Sequence, residues 1–252
     1  MANFHKDEWF QEQLQQHWDW GVEYIAPNEI IAVLYTGSGN YNCDEEGSDC
    51  DSWIIYFDKN YESSTYQVEQ ISHDGEVSWV CDIRAFIYGC LQGDWMYTIA
   101  YFTKYSIINP HYADLWHELY AKREKVAYVS RQNATEILKN HAKSYINTIV
   151  NSTHEKPHKR VYYMKLISFL YNAYYHHQPI GSCFYNEKYA QELIQLKGQI
   201  GLSREELYRQ AVEIGKDFMD NKPLSNNPKI AAATARETIA LIQRFERRAN
   251  NG

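Results

Sequence analysis

The residues best placed to do chemistry together are Gly37, Ser38, Asp49 and Asp51, in the stretch LYTGSGNYNCDEEGSDCDSWIIY over residues 34–56. Residues 29–36, EIIAVLYT, read as a buried strand that runs into Gly37-Ser38. After an irregular stretch rich in Gly, Asn and Asp, Asp49 and Asp51 open a second strand over 50–58. Residues two apart in a strand point to the same face, so both carboxylates aim into one place. Two adjacent carboxylates repel, and a cation relieves that repulsion. Oxygen-only ligation suits Mg²⁺, which takes one or two carboxylates together with waters and phosphates. Gly37 lets a phosphate approach the backbone, and Ser38 adds a hydroxyl and an N–H where a helix could start.

This pattern resembles the nucleotidyltransferase signature of the DNA polymerase beta superfamily. That signature is a strand, Gly-Ser or Gly-Gly, about ten residues of spacer, and Asp-x-Asp in the next strand. The extended form, Gly-Ser-x-Asn-Tyr with Ser-Asp-x-Asp, is similar to predicted nucleotidyltransferases of bacterial and phage genomes, with Asn40, Tyr41 and Ser48 carrying that part and by that resemblance expected among the nucleotide-binding residues. The match is tight over residues 30–58, with weaker echoes in 82–112 and 156–200. These include a Lys-bearing helix near 159–165 and Lys197-Gly198.

The resemblance implies an enzyme that moves a nucleotide monophosphate from an NTP to an acceptor hydroxyl and releases pyrophosphate. Mg²⁺ or Mn²⁺ would sit on Asp49 and Asp51. Ser38 and the backbone at Gly37 would hold the β- and γ-phosphates. The acceptor could be an RNA end, a protein side chain or a small molecule. The alternative is a catalytically silent nucleotidyltransferase fold used as a binding module, such as a phage or mobile-element inhibitor of a host protein.

The superfamily also implies a third carboxylate on a neighbouring strand. Asp82 and Glu76 share the strand expected over 76–82 and have the same parity. Asp82 is the first choice, because it interrupts the apolar WVCDI; its competing role is the N-cap of a helix over 83–92. Glu76 competes as a solvated hairpin residue. For the triphosphate, Lys156, His158, Lys159, Arg160 and Lys165 cluster near the start of an apolar helix, with Lys159 and Lys165 the favoured pair. A solvated basic patch explains the same cluster. Arg84 is a further candidate. His176, His177 and Cys183 match no zinc spacing.

The elements that must position these groups divide the chain. Strands are expected at 29–36, 50–58, 66–72 and 76–82, the last two joined by the hairpin signal His73-Asp74-Gly75. Helices are expected at 4–20, 83–92, 112–127, 134–150 (capped by Asn133), from about 160 to 177, and at 187–197, 203–219 and 228–248. Ser203 and Glu206 form a capping box. The fold class is therefore α+β, a nucleotidyltransferase-type mixed sheet with flanking helices followed by a helical C-terminal half. The division expected is a catalytic core over 1–115 and a helical domain over 116–252.

Composition sets outer bounds. The 252 residues suffice for one large domain or two small ones. A net charge of −7 disfavours a protein coated in positive charge to hold long nucleic acid, and leaves room for a local basic cleft. Tyr is in excess at 22 residues, enough to line a cleft or interface as well as the core. Five cysteines without paired spacing read as reduced thiols in a cytoplasmic protein. No apolar run is long enough to span a membrane, and no apolar leader segment is expected.

Overall fold

A computed structural model describes residues 6–44, 48–60, 68–73, 75–151 and 156–251. Helix α1 spans Lys6–Tyr24 and leads into strand β1, Ile30–Tyr35. A 3-10 turn over Ser38–Tyr41 follows, then β2 at Ser52–Tyr56, β3 at Glu69–His73 and β4 at Glu76–Asp82. Helix α2 covers Ile83–Leu91, α3 Trp95–Tyr101, and a short β5 Ser106–Ile108. The remainder is helical: α4 Ala113–Ala121, α5 Arg123–Ala127, α6 Arg131–Asn151, α7 His158–Tyr175, α8 Glu187–Lys197, α9 Arg204–Lys216 and α10 Pro228–Asn251.

The strands form one mixed sheet in the order β3-β4-β2-β1-β5. β1 runs antiparallel to β2 and β5, β4 antiparallel to β3, and β2 lies parallel to β4. Asp74 lies outside the described residues. Gly75, at φ 94, and the pairing of His73 with Glu76 are those of the expected tight hairpin. The mixed sheet and helical C-terminal half match the α+β expectation.

Side-chain alternation splits the sheet into two faces. Val33, Tyr35, Ile54 and Val80 pack with Phe10 and Leu14 of α1. Leu34, Trp53, Ile55 and Cys81 face the opposite way, into a larger core shared with the C-terminal helices. That core runs on to Leu241 and Phe245 of α10, and residues 115 and 116 both lie inside α4. α7 is central: Val161, Met164, Ile167, Leu170, Tyr171 and Tyr174 are buried on several of its sides, which is why its sequence shows little periodicity. α10 docks on α4 through Arg248 with Asp114 and Arg244 with Glu118.

Several local expectations shift. α3 and β5 were not expected. α3 begins at an Asp94 cap whose side chain accepts from Met96 N, but its WMYTIAY is apolar except for Thr98 and carries no helical period. The helix expected over 112–127 breaks at Lys122 into α4 and α5. α6 starts at Arg131, and Asn133, expected as its cap, instead donates from Nδ2 to Gln92 O. The Ser203–Glu206 capping box is present. Among the described residues no helix is long and apolar enough to cross a membrane. All five cysteines are free and buried.

Candidate active site

β1 ends at Tyr35, and the chain must turn at once to leave the sheet. Gly37 allows it: a Cβ there would sit 2.6 Å from the Tyr35 hydroxyl. Gly39 is under the same constraint, with a Cβ 2.5 Å from Phe10 Cζ, and its N–H donates to Tyr35 Oη at 2.9 Å. Ser38–Tyr41 then forms a 3-10 turn, shorter than the helix start expected. Asn40, expected among the nucleotide-binding residues, is fully buried and clamps this turn. Its Oδ1 accepts from Tyr185 Oη at 2.6 Å and Thr103 Oγ1 at 2.8 Å, and its Nδ2 donates to Tyr35 O. These contacts occupy its amide, so Asn40 shapes the loop and does not face a ligand.

Asp49 and Asp51 lie in the lead-in to β2. Thr36 N donates to Asp51 O at 2.8 Å, extending the β1–β2 ladder, and Val77 N donates to Asp51 Oδ1 at 3.2 Å. The carboxylates open on a cleft of about 640 Å³ that also receives Gly37, Ser38, Tyr41 and Ser48. The sequence therefore brings together its core motif, with Asn40 turned away. Burial pushes the Asp51 carboxyl up to about 6. The charges of Asp49 and Glu76 add to that push, while the Val77 N–H and Lys159 oppose it.

The opposite wall comes from the helical half. Lys156 and, from α7, Lys159, Arg160, Tyr162 and Tyr163 line the cleft, together with Lys197 at the end of α8. Lys159, Tyr162 or Tyr163, and Leu166 lie three and four residues apart, so one stripe of α7 faces the carboxylates. Lys197 Nζ donates to Cys43 O at 3.0 Å, tying α8 to the loop. Lys156, Lys159 and Arg160 form no salt bridge among the described residues. Elsewhere Lys122, Lys139, Arg84 and Arg244 each meet a carboxylate. Cations gathered in one cleft of an acidic chain, and meeting no carboxylate among the described residues, mark a place for an anion.

Four expected candidates are engaged elsewhere. Asp82 is 2 % exposed and sits at the far end of β4, opposite Tyr56, five residues or about 16 Å along the strand from Val77 beside Asp51. It caps α2 through Arg84 N and holds the Arg84 guanidinium at 2.8 Å, so the capping role wins. Glu76 lies near Asp51, but on the other parity. It meets the buried His17 Nε2 at 3.1 Å on the α1 face, where His17 Nδ1 also contacts Ser52 and Ser78 Oγ. Lys165 pairs with Glu192 at 2.8 Å, outside the cleft. Arg84 is likewise spent on Asp82.

On β4 the positions sharing the face of Asp51 are Val77, Trp79 and Cys81, so no carboxylate stands there. Among the described residues no group of three or more His, Cys, Asp or Glu could hold a metal. Sequence reasoning also missed an aromatic wall of Trp79, Trp95, Tyr145 and Tyr163. Only the parity of Trp79 with Asp51, once β2 and β4 are known to be parallel, could have signalled it.

The sequence matches no protein-family profile and no curated protein. Among solved structures, it is similar to a nucleotidyltransferase-like protein from Exiguobacterium sibiricum. The two share 10% identity over 82% of this chain and 74% of that chain, with a TM-score of 0.32.

Proposed function

We propose that this protein is a metal-dependent nucleotidyltransferase that transfers a nucleotide monophosphate from an NTP to an acceptor hydroxyl and releases pyrophosphate. The observation that carries this reading is one cleft holding Asp49 and Asp51 between the Gly37–Ser38 turn and the cations Lys156, Lys159 and Arg160. Residues 1–115 supply the carboxylates and the turn, and residues 116–252 supply the cations.

The donor set fits Mg²⁺ or Mn²⁺. Asp49 and Asp51 offer hard oxygens, and the raised Asp51 carboxyl is one that a nearby cation would favour as the anion. Such an ion would neutralise phosphate charge and lower the pKa of an acceptor hydroxyl. The chain's own residues do the rest. Gly37 and Ser38 leave room and donors for terminal phosphates, and Lys159, beside Asp51, screens the triphosphate. Tyr41 and Tyr162 close the floor of the cleft, buried, and keep water from that side. The five buried free thiols support a reducing, cytoplasmic setting.

A second reading is favoured by one observation, the run Val77-Trp79-Cys81 where the superfamily resemblance implies a third carboxylate. A silent nucleotidyltransferase fold would keep nucleotide binding and lose transfer. One experiment separates them. The full chain is incubated with each α-³²P-labelled NTP, Mg²⁺ or Mn²⁺ and cell extract, with Asp49→Asn as control. Label moved to a discrete RNA, protein or small-molecule product by the wild type alone supports the enzyme. No transfer, with nucleotide still bound, supports the binding module.

A further inference from the structure

The sheet order assigns sides to the cleft. The Gly37–Ser38 turn leaves β1, the carboxylates precede β2, and β4 lies on the other side of β2. In an in-line displacement the attacking oxygen and the leaving pyrophosphate stand on opposite sides of the α-phosphorus. With the terminal phosphates over the turn and the α-phosphorus at Asp49 and Asp51, the acceptor approaches over β4.

That side is lined differently from the phosphate side. Trp79 stands on β4, Trp95 at the head of α3, Tyr145 on α6, and Tyr163 and Arg160 on α7. Tyr163 lies 6.4 Å from Trp95 and 5.8 Å from Tyr145, ring to ring, and the Arg160 guanidinium sits 5.3 Å from the Tyr145 ring. The charges of Asp51 and Asp49 reach the Tyr163 phenol, with Arg160 opposing them, which sets this group beside the carboxylates. Trp79 and Tyr163 are part-exposed, backed by the buried Trp95 and by Tyr145, and such aromatic faces stack on flat rings. The Arg160 guanidinium, which meets no carboxylate among the described residues, suits a phosphate. A polycationic aminosugar would meet Arg160 and Lys159 at like charge, and an aliphatic protein hydroxyl would leave the ring faces uncovered.

The geometry points to a nucleotide as the acceptor, its base against Trp79 and Tyr163 and its phosphate on Arg160. This rests on the nucleotidyltransferase reading above. The 3′ terminus of a single strand and a free mononucleotide share this chemistry. In the reaction the acceptor hydroxyl oxygen forms a bond to the α-phosphorus and the α–β bridging P–O bond breaks. Pyrophosphate leaves with the electron pair of that bond, and the hydroxyl proton passes to solvent.

The test has a binding arm that needs no catalysis. A 5′-fluorescein six-nucleotide RNA with a free 3′ hydroxyl is titrated with full-length protein, without NTP or metal, and followed by anisotropy. Trp79→Leu weakens binding about 5- to 150-fold, the range for losing one base stack. Arg160→Gln flattens the slope of log Kd against log salt by about 0.7, the share of one phosphate on a single strand. Matching urea midpoints keep both variants interpretable. Competition by a 5′-mononucleotide as strong as by unlabelled RNA assigns a free nucleotide, and weaker competition assigns the strand terminus.

Absence of RNA and mononucleotide binding overturns the inference, as does binding indifferent to both variants. In the activity arm, α-³²P label that enters protein or an aminosugar and not the RNA also overturns it, while leaving nucleotidyl transfer intact. No transfer to any acceptor, with Trp79-dependent RNA binding kept, sinks the enzyme and leaves the nucleotide subsite.

Discussion

Replacing Asp51 with Asn should stabilise the metal-free protein above neutral pH and do little at low pH. In the folded chain burial, with Asp49 and Glu76 nearby, raises this carboxyl from an ordinary 3.8 to about 6. The folded state therefore holds the proton more tightly than the unfolded state. The sign follows: the stabilising contribution of the protonated form is complete below about pH 3.8 and is lost as pH rises through about 6. Above that, the wild type carries a buried carboxylate whose cost over this interval is about 3 kcal/mol. Water entering the open cleft reduces it, and we expect about 2 kcal/mol to be relieved by Asn, which can still accept from Val77 N. With an m-value near ~3 kcal/mol/M, the urea midpoint of the variant rises by about 0.7 M at pH 8. At pH 4.5 most of the difference disappears. His17, whose buried ring resists protonation, makes both proteins lose stability as pH falls below its ordinary 6.5, and so cancels in the comparison. Urea unfolding in EDTA at the two pH values is the assay. A variant less stable than wild type at pH 8, or an equal difference at both pH values, would refute the reasoning.

Other substitutions separate site from scaffold. Lys159→Gln should raise the KM for NTP about 10-fold with an unchanged urea midpoint, whereas Lys165→Gln, which only frees Glu192, should leave steady-state kinetics unchanged. Asp82→Asn should cost about 1–3 kcal/mol in urea unfolding, since it loses the charge-assisted bonds to the Arg84 guanidinium while Asn still caps α2 and Arg84 still donates to Asp58 O, yet keep transfer per folded molecule. Gly39→Ala should cost about 1–3 kcal/mol by thermal unfolding, because the added methyl meets Phe10 and Tyr35 in a packed interior.

Local signals carried much of the fold. α8 falls at the expected 187–197, because Asn186 caps it and its side chains alternate around one buried stripe of Ala190 and Leu193. The hairpin between β3 and β4 follows from a D-G step, and the buried β1 from an unbroken apolar run rich in Ile and Val. α3 and β5 were illegible for the opposite reason. One is short and apolar but for Thr98, and the other has three residues, so neither has a period to read.

By itself the sequence determined the pairing of a Gly-Ser turn with Asp49 and Asp51 on one face, since spacing of two along extended chain fixes side-chain direction whatever lies around it. It also determined that a basic group precedes α7. Tertiary structure alone decided which of those residues meet. Asp82 and Glu76 share a strand parity with each other but not with Asp51, and that relation appears only when β4 pairs parallel to β2 in its particular register. Asn40 looks like a ligand-binding residue until Thr103 and Tyr185 arrive from distant segments to occupy it. Lys159 reaches the cleft and Lys165 does not, because the packing of α7 against α8 turns the latter to Glu192. Contacts between residues far apart in the chain depend on register and packing, which no local pattern encodes.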